Sequence, residues 1–149
     1  MRREQTRQEQ GTQRSSEHPV SFQGRSICPG EAEGEALVTT MGVSFFGGVD
    51  PDSGMVVEKG PELEGQTVAG KILVFPTGKG STVGSYTLYR LSKAGKAPIA
   101  ILNAECEPIT AVGCIIAEIP CIDQIPIERI STGDHLRLNG ADGTIEKIR

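Results

Sequence analysis

Residues 71–103 read KILVFPTGKGSTVGSYTLYRLSKAGKAPIAILN, and the order of patterns in this stretch sets the fold class. Residues 71–75 open it with an apolar run of the kind found in strands covered on both faces. A glycine-rich loop follows. Over residues 82–94, Val83, Thr87, Leu91 and Ala94 then recur at helical spacing, with Leu88 beside them. Gly95 stands just past that pattern, where a helix end commonly needs positive φ. Residues 97–103, APIAILN, read as a second buried strand. A strand–helix–strand unit of this length favours a parallel pair joined by a right-handed crossover.

Outward from that unit the chain is a series of short β-like runs broken by glycine. Residues 21–27 and 34–39 read as two strands around a Pro29-Gly30 turn. Residues 41–60 read as a loop, with turn signals at Gly47-Gly48, Asp50-Pro51 and Ser53-Gly54. The segment 107–120, EPITAVGCIIAEIP, reads as a short helical turn followed by a strand around residues 114–119. The tail GDHLRLNGADGTIEKIR, residues 133–149, alternates as a hairpin whose turn holds Asn139-Gly140 and Asp142-Gly143. Many short strands with one clear helix point to an α/β domain in β/α layers rather than a doubly wound sheet.

Composition narrows the function classes. At 149 residues the chain has the size of one domain. No aliphatic residue follows Met1 before residue 19, so residues 1–22 read as a polar disordered tail and residues 23–149 as the domain. No apolar run resembles a secretory signal or reaches the roughly 20 residues of a membrane helix, which favours the cytoplasm. A net charge of −4, no Trp and no basic stripe argue against nucleic acid as a partner. Cys28, Cys106, Cys114 and Cys121 form no C-x-x-C pair and read as reduced thiols acting as small hydrophobes.

The glycine loop fits neither familiar phosphate-binding pattern. In a Walker loop the lysine closes the motif, whereas Lys79 comes near the start. The spacing from Gly78 through Gly80 to Gly84 is one residue too long for a dinucleotide fingerprint. What remains is Ser81 at the expected start of a helix, beside free backbone N–H groups and the positive end of the helix dipole. An ordinary N-cap, an anion site and a serine with a stabilised alkoxide all satisfy that placement. Gly78 and Gly80 let a ligand approach the backbone closely.

Taken together, GRSICPGEAEGEALV, SFFGGVDPDSG, GKILVFPTGKGSTVGSYTLYRL, APIAILNAECEPITAVGCIIAEIP and GDHLRLNGADGTIEKI resemble the small subunit of the aconitase X family over residues 24–148. GGVDP followed by FPTGKGSTVGSY is the most specific part. The resemblance implies a swivelling β/β/α domain like the mobile domain of aconitase. It also implies a hydro-lyase active only with a large subunit, which carries the iron–sulfur cluster (4Fe-4S); none is bound by this chain. The archaeal members it most resembles remove water from (R)-5-phosphomevalonate to give trans-anhydromevalonate 5-phosphate. The family's proton-accepting serine corresponds to Ser81, with Lys79, Gly80 and Thr82 expected around the substrate. Ser44, Gly47, Gly48 and Asp50 are expected to form a neighbouring loop at the subunit contact, or a turn cluster with no ligand.

Other readings predict different behaviour. Relatives in the same family dehydrate cis-3-hydroxy-L-proline, and a small subunit need not reveal which acid the large one holds. A phosphohistidine swivel domain needs a histidine on its mobile loop, but His18 and His135 both lie far along the sequence from the glycine loop. A non-catalytic binding module would tolerate Ser81→Ala.

Overall fold

The computed structural model describes residues 20–40, 49–57, 63–78 and 83–148. Its strands are β1 (Val20–Gln23), β2 (Arg25–Cys28), β3 (Glu31–Val38), β4 (Ile72–Phe75), β5 (Ala100–Asn103), β6 (Cys121–Asp123), β7 (His135–Asn139) and β8 (Thr144–Lys147). Two helices, α1 (Val83–Lys93) and α2 (Pro108–Ala117), alternate with the middle strands. The eight strands form one sheet in the order β1-β8-β7-β3-β4-β5-β6-β2.

The two ends of that order, β1 and β2, are separated in the chain by Gly24 alone. A flat sheet cannot place its opposite edges one residue apart, so this sheet curls into a near-barrel. Gly24 permits the crossing: a Cβ there would collide with the Asp123 carbonyl and lie 2.6 Å from the Ile125 side chain. Its N–H donates to the Gly143 carbonyl at 2.8 Å. The single strand expected over residues 21–27 is therefore two strands with different partners, β1 on β8 and β2 on β6. The sheet also begins at Val20, inside the segment assigned by composition to the polar tail.

The longest strand joins two styles of pairing. The first half of β3 runs antiparallel to β7, and Ala36, Leu37 and Val38 run parallel to β4. Parallel pairing then continues from β4 to β5 and from β5 to β6. Alternation along these strands sorts the core into two sets. Ile72, Val74, Ala100, Leu102 and Ile122 pack with Phe22, Leu136 and Ile145. Leu37, Leu73, Phe75, Ile101 and Cys121 point the other way, where Leu88 and Leu91 of α1 and Cys114 of α2 cover them.

Helix α1 follows its sequence pattern, with Thr87, Leu88 and Leu91 buried and Gly95 at φ +72° past its end. Helix α2 corrects the sequence reading, because residues 114–117 are its last turn and the strand starts only at Cys121. Two local signals outweigh the β-branched Ile115-Ile116 pair: Glu107 caps the helix with its carboxylate, and Pro108 supplies a helical φ at the first position. The helices touch closely, since a Cβ on Gly113 would lie 2.6 Å from Leu88 Cδ1 and 3.1 Å from Ser85 Cα.

Ion pairs fasten the strands from outside. Arg25 of β2 gives a two-pronged hydrogen bond to Asp123 of β6, at 2.9 and 2.7 Å. Glu33 on β3 lies well below the ordinary carboxylate range because His135 hydrogen-bonds it, with Arg137 adding to the effect. Lys71 lowers Glu35 in the same way.

Two expectations follow. Gly113→Val has to push α1 and α2 apart and should cost about 1–3 kcal/mol, read as a lower Tm or denaturant midpoint. Carboxyls with folded-state pKa values below their unfolded ones stabilise the fold above the unfolded pKa, and that contribution disappears as pH falls through the folded value. Glu33→Gln and Glu35→Gln should therefore flatten the acid side of a Tm-against-pH curve and leave its shape above neutrality unchanged.

Candidate functional site

The parallel strands end level with one another. Leu37, Leu73, Ile101 and Cys121 are register partners across β3, β4, β5 and β6, and so are Val38, Val74, Leu102 and Ile122. The next position along each strand is Thr39, Phe75, Asn103 and Asp123, a row on the helix-facing side. Thr39 is 1% exposed and Asn103 and Asp123 are 0% exposed. Among the described residues the other buried polar side chains are Thr87 and Thr110, one on each helix. Burying polar groups is costly unless they are used, so their gathering at the carboxyl ends of the parallel strands marks this edge. In parallel α/β folds, open or closed into a barrel, that is also the end where ligand sites form.

Several of these polar groups have a definable job. Asn103 donates from Nδ2 to the Phe75 carbonyl at 3.0 Å, while its Oδ1 has no partner among the described residues. Asp123 accepts both prongs of Arg25 and, at 2.9 Å, the Cys106 N–H. Glu107 accepts from the Ile109 N–H, the Thr110 N–H and the Thr110 hydroxyl at 2.8, 2.7 and 2.6 Å. The positive end of α2 is thereby neutralised by its own cap. The first turn of α1 contains no acidic residue.

Gly78 lies against the start of α2. A side chain there would overlap the Thr110 hydroxyl and come within 2.7 Å of Glu107 Oε1. The glycine-rich loop thus leaves β4 pressed against the cap of α2 and enters α1 at Val83. Lys79, Gly80, Ser81 and Thr82 occupy that connection and lie outside the described residues. Ser44, Gly47 and Gly48 also lie outside them, between Thr40 and Val49. The two candidate loops follow the carboxyl ends of neighbouring strands, β3 and β4.

Asp50 is described, and its carboxylate serves its own turn. It accepts the Asp52 N–H at 3.0 Å, while its carbonyl accepts the Gly54 N–H at 2.8 Å. Hydrogen bonds from Asp52, then Ser53, hold its pKa below the ordinary range. Asp52 in turn meets Arg90 of α1 at 3.3 Å. Arg90 is seven residues beyond Val83, roughly 10 Å along the helix from its start.

The cysteines make a poor cluster ligand set. Cys28, Cys114 and Cys121 are buried, and Cys106 is partly buried with its Sγ 3.9 Å from that of Cys121. The hydrogen bond to Cys121, then burial, push the Cys106 thiol far above its ordinary range, and burial raises Cys28. Metal ligation needs the thiolate, which these surroundings disfavour. Among the described residues no group of three His, Cys, Asp or Glu side chains could hold a metal ion.

Sequence reading missed Asn103, Glu107, Thr110 and Asp123. Their signals were present but faint: a polar residue closing each of the apolar runs AILN and CID, and an acid placed directly before Pro108. Gly78→Ala tests the contact between the loop and the α2 cap. It should displace Glu107 and cost about 0.5–2 kcal/mol, as loss of an N-cap does, read by thermal denaturation.

Comparison with known proteins agrees with this architecture. The family model described as the aconitase X swivel domain matches residues 21–147. A relative from Methanosarcina acetivorans, named phosphomevalonate dehydratase small subunit, is 52% identical over 134 residues, covering 88% of this chain and 93% of its own. One of the same name from Thermococcus kodakarensis is 47% identical over 127 residues, covering 85% of this chain and 96% of its own. A crystal structure of aconitase X from that genus, in its holo-form, superposes with a TM-score of 0.86 at 46% identity, covering 87% of this chain and 99% of that one. The near-barrel with its two helices is thus a swivel fold, and the chain belongs to the aconitase X swivel domain family.

Proposed function

We propose that this chain is the small subunit of a two-subunit hydro-lyase that dehydrates (R)-5-phosphomevalonate to trans-anhydromevalonate 5-phosphate. One observation carries the reading: relatives bearing the name phosphomevalonate dehydratase small subunit are about half identical to it across nearly their whole length. The partner is a larger subunit, to which we assign the iron–sulfur cluster, because the thiols here do not suit one. No helix among the described residues is long and apolar enough to cross a membrane. We place the enzyme in the cytoplasm and its folded domain within residues 20–148.

In this reading Ser81 is the proton acceptor. Elimination of water breaks a C–H bond beside the carboxylate, forms a C=C bond and expels hydroxide from the adjacent carbon. The C–H proton goes to the alkoxide of Ser81, and the proton that the serine hydroxyl gave up to form it joins the departing hydroxide as water. A serine hydroxyl is a weak base, so its alkoxide needs stabilising dipoles. The start of α1 supplies them, and no acid in its first turn offsets the dipole there. Glu107 lies nearby, yet its charge is committed to three hydrogen bonds of α2. Gly80, Thr82 and Lys79 line the substrate, and Ser44, Gly47 and Gly48 belong to the loop that meets the larger subunit. Asp50 acts there through its turn.

The test is turnover by the reconstituted pair. Ser81→Ala should lower kcat by about 10²- to 10⁴-fold, the usual loss for a general base, with assembly unchanged in sedimentation. Full activity of the variant would remove the serine from the chemistry. Turnover of cis-3-hydroxy-L-proline but not of phosphomevalonate would overturn the substrate.

A further inference from the structure

Helix α2 carries no charged side chain between Pro108 and Ala117, although it lies in the outer layer of the fold. Thr110, Gly113, Cys114 and Ala117 face inward, as its packing requires. On the outer side Val112, Ile115 and Ile116 are 46%, 57% and 52% exposed. A helix that is apolar all round is normally buried on all sides. Tyr86 in the first turn of α1 is 67% exposed and stacks on Tyr89, with ring centroids 6.3 Å apart. The helices touch at Ser85 and Gly113, the chain neighbours of Tyr86 and Val112.

We propose that this outer face, centred on Val112, Ile115, Ile116 and Tyr86, docks the larger subunit of the heteromeric enzyme; the inference rests on the reading of this chain as a small subunit. Position selects that occupant. α2 starts at Glu107, whose cap lies against Gly78, so the apolar face runs outward from the same edge that holds the candidate crevice. Ile115 is seven residues from the start of α2, roughly 10 Å along it. A partner that completes the crevice and has the radius of an ordinary interface extends over this face. The chemistry matches as well, because permanent interfaces have apolar, charge-depleted cores with aromatic residues.

The experiment titrates this chain into purified large subunit by calorimetry, with no turnover involved. The double substitution Ile115→Glu with Ile116→Lys places good helix formers at exposed positions, which favours an unchanged fold. It should weaken binding roughly 100-fold or more, as expected when two central apolar contacts of an interface are lost. Val20→Glu, at an exposed apolar site on β1, should bind like the unmodified chain. Binding of the double variant within about twofold of the unmodified chain overturns the proposal and leaves the catalytic reading standing. So does a dimer of the unmodified chain that the substitutions abolish while large-subunit binding persists, since the face then pairs two copies. An unmodified chain that fails to bind the large subunit overturns the small-subunit reading itself, and the docking face with it. Hydrogen exchange on unmodified protein gives a second readout free of substitutions. Amides of residues 109–117 should gain protection when the large subunit is added, and unaltered protection there contradicts the proposal.

Discussion

The shared register of β3, β4, β5 and β6 is the constraint from which the rest follows. Because the four strands pair in parallel with aligned partners, their carboxyl ends fall at one level. Asn103 and Asp123 end up on neighbouring strands, with Thr39 beyond Phe75 in the same buried row, which an apolar core alone would not tolerate. A slip of one residue in any pair would turn these polar groups to the other face, among the residues that fill the barrel. The register thus fixes the core and the polar row together.

Above that row the two helix starts are treated differently. α2 is closed by Glu107, which takes up two of its free N–H groups as well as the Thr110 hydroxyl. α1 follows a glycine loop and has no acid in its first turn. Such a cap contributes about 1 kcal/mol to the stability of α2. In the proposed reaction it is the start of α1 that faces the substrate. The outer side of α2 carries no charge either, and Val112, Ile115 and Ile116 stand exposed on it.

Much of this was legible in the sequence because the middle of the chain obeys local rules. Ile72–Phe75, the α1 face of Thr87, Leu88 and Leu91, and the hairpin of β7 and β8 each carry their own periodicity. The failures came where something outside the local pattern decides, a distant strand or a cap. Residues 21–27 look like one strand, and only the closing of the sheet divides them at Gly24. The Ile115-Ile116 pair has the composition of a strand, yet a cap eight residues earlier and a face to cover make it helical. Asn103 and Asp123 carry only a faint signal, because a single polar residue after an apolar run is ordinary. Register across four strands gives them meaning.

The account stands on the hydroxyl of Ser81 reaching the carbon that loses its proton once both subunits are assembled. A crystal structure of the two-subunit complex with substrate bound tests this most directly. The predicted result places Ser81 Oγ roughly 3–3.5 Å from the carbon beside the substrate carboxylate, at the start of α1. An Oγ turned into the backbone of α1 as a plain cap, with the substrate carbon out of its reach, would contradict it.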